Sequence, residues 1–98
     1  MKTKRLLKLK HDRHDLGFFG ARIDKEEGGF ASWSLRVESP AETDEFLDHL
    51  AAGSPMDFTM VTREGEFLAG EAYVASVSDC YDAATIVLLS GSGPLQRA

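Results

Sequence analysis

The chain has one cysteine, three prolines and no long hydrophobic run, and each shortage narrows what it is. A lone Cys80 excludes an internal disulfide and suits a reducing, cytoplasmic setting. Apolar runs stop at about five residues, far below the roughly 20 that a helix needs to cross a bilayer. The opening Met1-Lys2-Thr3-Lys4-Arg5 has the charge of an export signal, but Lys8 and Lys10 interrupt the apolar stretch that such a signal requires. Neither a membrane segment nor an export signal is expected. Basic residues are also scarce once the first stretch is past. Residues 1–13 hold six Lys/Arg against one Asp, a balance of +5, whereas residues 14–98 hold five against fifteen Asp/Glu, a balance of −10. An acidic body argues against a general nucleic-acid binder, because contacts to phosphate supply most of that affinity. The basic start is either a local site for an anionic partner or a solvated strand face.

What is present is a globular composition, 43% hydrophobic and 28% charged, in 98 residues, enough for a single domain with one core. Alternation of apolar and polar residues dominates the pattern. Lys2–Lys10 reads as a strand with Lys4, Lys8 and Lys10 on one face, Leu6 an exception among them, and Leu7 and Leu9 on the other. His11–Asp15 breaks the alternation and reads as a loop. Leu16–Asp24 reads as a second strand with Phe19, Ala21 and Ile23 inward, and the glycines of Asp24–Gly29 make a turn. Phe30–Glu38 alternates most cleanly, with Ala31, Trp33, Leu35 and Val37 inward, and should pair with the second strand as a hairpin.

A helix over about 40–52 follows. Ser39 is placed to cap it, Pro40 suits its first position, and Glu42 completes a capping box. Phe46, Leu47, Leu50 and Ala51 recur at helical spacing, and Gly53 is placed to end the helix in a left-handed conformation. Met56–Arg63 is a fourth strand with Met56, Phe58 and Met60 on one face. Glu64-Gly65 turns the chain into a fifth, Glu66–Val77. Ser78–Ala83 is a polar loop, and Ala84–Ser90 is a sixth strand whose run Ile86–Leu89 implies burial on both faces. The last residues, Gln96-Arg97-Ala98, are expected to fray. The expected fold is therefore mostly β (all-β or α+β): a small antiparallel barrel or sandwich of about six strands, with the helix between strands three and four.

No constellation carries an evident chemistry. His11-Asp12-Arg13-His14-Asp15 contains ligand types that Zn²⁺ accepts, but a loop does not converge a His-x-x-His pair, and only His49 and Cys80 remain to complete a set. The spacing favours a solvated hairpin loop, and no metal or other cofactor is expected. Asp79 and Asp82 beside Cys80 raise a thiol pKa, the wrong direction for a nucleophile. Gly91-Ser92-Gly93 follows a strand without leading into a helix, so it reads as a bend and not a phosphate loop. Trp33, Phe19 and Phe30 are expected in the core, while Phe18 points outward. The chain is expected not to be an enzyme.

One stretch resembles a known family. Phe67-x-x-Gly70-Glu71-Ala72-Tyr73-Val74-x-Ser76 and Thr85-Ile86-Val87-Leu88-Leu89-Ser90-Gly91-Ser92-Gly93-Pro94-Leu95 resemble the C-terminal strands of bacteriophage tail-tube (major tail) proteins. The resemblance implies a barrel or sandwich flanked by one helix, subunits packed side by side, and no enzymatic activity. The expected function is thus a structural or assembly module, of prophage, tail-like origin, acting by self-association or on another protein through strand edges. Its contact residues would be Lys4, Lys8, Lys10 and Arg13 on the first strand and Gly91, Gly93, Pro94 and Leu95 after the sixth. The alternative is an OB-like barrel that binds single-stranded nucleic acid or another anionic ligand through the same basic residues.

Overall fold

Alternation along Trp33–Glu38 buries Trp33, Leu35 and Val37 and turns Ser34 outward, and the same rule of opposite faces organises most of the sheet. The computed structural model describes residues 2–25, 32–78 and 85–97. Its strands are β1 (Lys2–His11), β2 (His14–Asp15), β3 (Gly20–Lys25) and β4 (Trp33–Glu38), then β5 (Met56–Thr62), β6 (Phe67–Ser78), β7 (Ile86–Gly91) and β8 (Gln96–Arg97). One helix, α1 (Thr43–Ala52), lies between β4 and β5. The expected turn and strand start at residues 26–31, and the loop holding Asp79, Cys80 and Asp82, lie outside the described residues.

Every pairing is antiparallel, in the order β1-β3-β4-β7-β6-β5, and β5 returns to β1. That last pairing closes a six-stranded barrel, and the short β2 and β8 are added to β1 and β6. Closure removes the edges on which partner recruitment was expected. β1 is paired with β3 and β5, and β7 with β4 and β6, so neither is a free edge. The inward faces supply one core, with Leu9, Ile23, Leu35, Phe58, Met60 and Val87 among its most buried members. Among the described residues no helix is long and apolar enough to cross a membrane.

Several expectations need correction. β1 carries an irregularity in its pairing with β5 between Leu6 and Lys8. The extra residue there turns Leu6 inward and leaves Leu7 exposed, exchanging the faces assigned to that pair, while Leu9 is inward and Lys8 and Lys10 are outward as expected. β3 begins only at Gly20, so Phe19 does not take part in its alternation and is exposed, while Phe18 packs against the core. The Ile86–Leu89 run is buried on one face only: Val87 and Leu89 are inside, and Leu88 is exposed. The tail is not frayed through Gln96–Arg97, which pair with Ala69 and Leu68.

The helix also starts later than its capping signals imply. Ser39 takes φ 48°, and its N–H donates to the Thr85 carbonyl. Glu42 then precedes the first turn without a side-chain cap, and its carboxylate instead accepts the N–H of Gly17 at 3.3 Å. Tertiary partners have taken both the donor and the acceptor of the bond by which Glu42 would reach back to the Ser39 N–H. The C-terminal end forms as expected. Gly53 is left-handed (φ 66°), its N–H reaches Leu50 O, and the N–H of Ser54 reaches His49 O, as in a Schellman turn. Of the apolar stripe only Phe46 is buried; Leu47, Leu50 and Ala51 face out.

Candidate functional site

On the β3 edge of β1 the pairing covers only Lys2–Arg5 with Arg22–Lys25, and β2 takes over at Lys10 and His11, which leaves a gap between them. The segment Leu16–Phe19 fills this gap. It is held by Leu16 N–H to Leu9 O (2.8 Å), Phe19 N–H to Glu38 O (3.0 Å) and Ala41 N–H to Gly17 O (2.8 Å). Phe18 plugs the gap from the segment's inner side. Phe19, fixed with its backbone on β4, has nowhere to go but outward and is 85% exposed. Leu7, pushed out by the β1 irregularity, is 61% exposed, and both line one open groove of about 520 Å³. Arg5, Arg63 and Glu38 border that groove. An apolar floor with two cations and one anion at its rim has the make-up of a protein contact surface, with an aromatic anchor beside arginines. No nucleophile paired with a base lines it.

The sequence-derived contact residues are distributed differently. The Lys4 ammonium is committed to an ion pair with Glu66. Its hydrogen bond is the main cause that holds the Glu66 carboxyl below its ordinary pKa, assisted by the charges of Lys4 and Arg97 and opposed by desolvation. Lys8 is exposed, Lys10 stands 3.9 Å from Asp15, and Arg13 sits exposed in the β1–β2 turn at φ 72°. Gly91, Gly93, Pro94 and Leu95 form no edge but a wrap around Trp33. A Cβ on Gly91 would stand 2.3 Å from Trp33 Nε1, the Gly93 carbonyl accepts that N–H at 3.0 Å, and Leu95 packs on the core. Pro94 is exposed beside Asp57, Thr59 and Glu71 in a second shallow groove.

The two histidines of the His11–Asp15 segment part company. His14 is exposed on β2, while His11 is buried and faces His49 and Glu45 of α1. The groove residues were missed because Leu7 and Phe19 look like core when alternation is assumed. The signals that mark them are the Leu6-Leu7 doublet inside an alternating strand and the glycines on either side of Phe18-Phe19. For the helix, the Glu45-x-x-x-His49 spacing puts both side chains on one face. No protein-family model, curated protein or solved structure matches this chain.

Proposed function

We propose that this domain is a non-enzymatic structural or assembly module of tail-like, prophage origin, and that it works by self-association or by binding another protein. The observation that carries the reading is the pair Phe19 and Leu7, two large apolar side chains held out in solvent beside Arg5 and Arg63. What supports the reading is that the two lie together in one groove bordered by arginines, since adjoining exposed apolar side chains with a polar rim mark interaction sites. The antiparallel barrel with one helix and the Gly-Ser-Gly-Pro-Leu ending are the features it has in common with tail-tube proteins. We read β2 as an elaboration of the turn after β1, so that α1 stands between the third and fourth strands of the parent barrel.

Sedimentation velocity over a concentration series tests this. The expected result is an oligomer whose dissociation is promoted by Phe19→Ser, and a monomer independent of concentration would overturn the self-association form of the proposal. A second reading, single-stranded nucleic acid, draws on Phe19 as a stacking platform near Arg5, Arg63 and the exposed Lys8, Lys10 and Arg13. It requires salt-sensitive retention on oligonucleotide, lost when Phe19 is removed.

A further inference from the structure

The chemistry-bearing groups that the assembly reading leaves unused meet at one place. His11, at the end of β1, is 6% exposed and faces α1 between Glu45 of its first turn and His49 of its last. Its ring stands edge-on to that of His49, with centroids 5.2 Å apart, and packs against Phe58 at 5.9 Å. One nitrogen of each histidine and one carboxylate oxygen of Glu45 lie within 4.8 Å of one another. Glu45 and His49 are half-buried, so the cluster is walled by the barrel on one side and open to water on the other.

Two features separate this cluster from an ordinary ion pair. His11 Nε2 and Glu45 Oε1 are 3.4 Å apart. A charge-assisted hydrogen bond closes to about 2.7–2.9 Å, so 3.4 Å is long for one. It equals the edge of a tetrahedron around Zn²⁺, where ligand bonds of about 2.0–2.1 Å separate neighbouring ligand atoms by roughly 3.3–3.4 Å. The second feature is the outer partners. His11 Nδ1 lies 3.0 Å from the Asp57 carbonyl oxygen, which can only accept, so Nδ1 carries the proton and Nε2 keeps its lone pair toward the cluster. His49 Nδ1 lies 2.9 Å from Ser54 Oγ, and Ser54 is positioned by the Schellman turn at Gly53. The hydroxyl accepts from His49 Nδ1 in the tautomer that leaves Nε2 to offer, so both imidazoles have an oxygen partner on Nδ1. Metal-binding histidines are oriented in this way, by an oxygen on the far ring nitrogen.

We propose that His11, Glu45 and His49 form a Zn²⁺ site with a fourth position open to solvent, which clips α1 to β1. Two imidazoles and a carboxylate are donors of the hardness that Zn²⁺ takes, and the helix needs such a clip. Phe46 is its only buried side chain, and its main neighbour is β6. Metal bridging β1 to α1 adds a link that the apolar packing does not supply.

The test uses untagged, chelator-treated protein with Zn²⁺ by calorimetry and Co²⁺ by visible absorption. The expected result is one equivalent bound, a rise in Tm on adding Zn²⁺, and Co²⁺ ligand-field bands without a thiolate charge-transfer band. Glu45→Gln and His49→Gln, both at half-exposed positions, should leave the metal-free Tm close to that of the parent and abolish the metal-induced rise. Ser54→Ala should weaken binding about 10–100-fold, the usual effect of losing an outer-sphere partner, and His14→Gln should leave it unchanged. Absence of binding, binding that survives His49→Gln, or a thiolate band from Cys80 would each overturn the proposal.

Discussion

Gly91→Ala adds one methyl group to a strand whose backbone conformation any residue can adopt, so its cost is purely a matter of space. The new Cβ would stand 2.3 Å from Nε1 and 2.4 Å from Cε2 of Trp33. Ordinary contact needs about 3.5 Å or more, so the indole must retreat by roughly 1 Å. It has no room to do so, because on β6 the backbone of Gly70 approaches the same ring so closely that a Cβ there would lie 2.6 Å from Cζ2. The ring is also tethered by its N–H to the Gly93 carbonyl at 3.0 Å. Overpacking of this kind costs about 1–3 kcal/mol. Breaking the tether in a buried setting adds about 1–2 kcal/mol. The expected loss is therefore about 2–5 kcal/mol, a large part of the roughly 5–15 kcal/mol that holds a domain of this size. At about 4–8 °C per kcal/mol, Tm should fall by at least about 8 °C. Urea unfolding followed by far-UV circular dichroism reads it. In a Trp33→Leu background the same substitution should cost under about 0.5 kcal/mol, since the obstacle is gone. A Gly91→Ala protein as stable as the parent, or one equally destabilised without the indole, would refute the packing argument.

Three further outcomes follow from the geometry. Phe46→Ala should cost about 3–5 kcal/mol by urea unfolding, whereas Leu47→Ala on the outer face of the same helix should stay within about 0.5 kcal/mol; equal effects would mean that α1 is rotated. Because the folded Glu66 carboxyl titrates below its ordinary value, its pairing with Lys4 contributes stability at pH values above the unfolded carboxylate pKa, and this is lost as pH falls through the lower, folded value. Glu66→Gln should flatten that part of the stability–pH curve, and an unchanged acid limb would remove Glu66 as its source. Neutralising Lys8, Lys10 and Arg13 together should leave the oligomer distribution unchanged if Phe19 and Leu7 form the contact, as sedimentation would show.

The glycine-rich ending is shaped by both local and long-range contacts. Phe67–Leu95 has the composition of a buried hairpin closed by a bend, and β6, β7 and the positive φ of Gly93 agree with that. What the glycines make room for is not in that stretch at all. Trp33, far earlier in the chain on β4, reaches both Gly70 and Gly91 only because the barrel brings its strands together.

Local chemistry was sufficient wherever a single period or turn governs a segment. Met56, Phe58 and Met60 on one face, the Glu64-Gly65 turn, the left-handed Gly53 and the alternation of β4 were all legible in the chain. It failed wherever a long-range partner outbid a local one. Ser39 and Glu42 had the residues of a capping box, yet Thr85 and Gly17 took their hydrogen bonds. The irregularity at Leu7 exchanged the faces expected for Leu6 and Leu7, since one extra residue breaks the period of two. Both candidate sites arise from these events. Leu7 and Phe19 are outside because a closed barrel had no inward place left for them, and His11 meets His49 because β1 ends beneath the helix. Residue types and periods determined the elements; barrel closure decided which side chains were left to meet a partner or a metal, because only closure specifies what each strand finds on its other side.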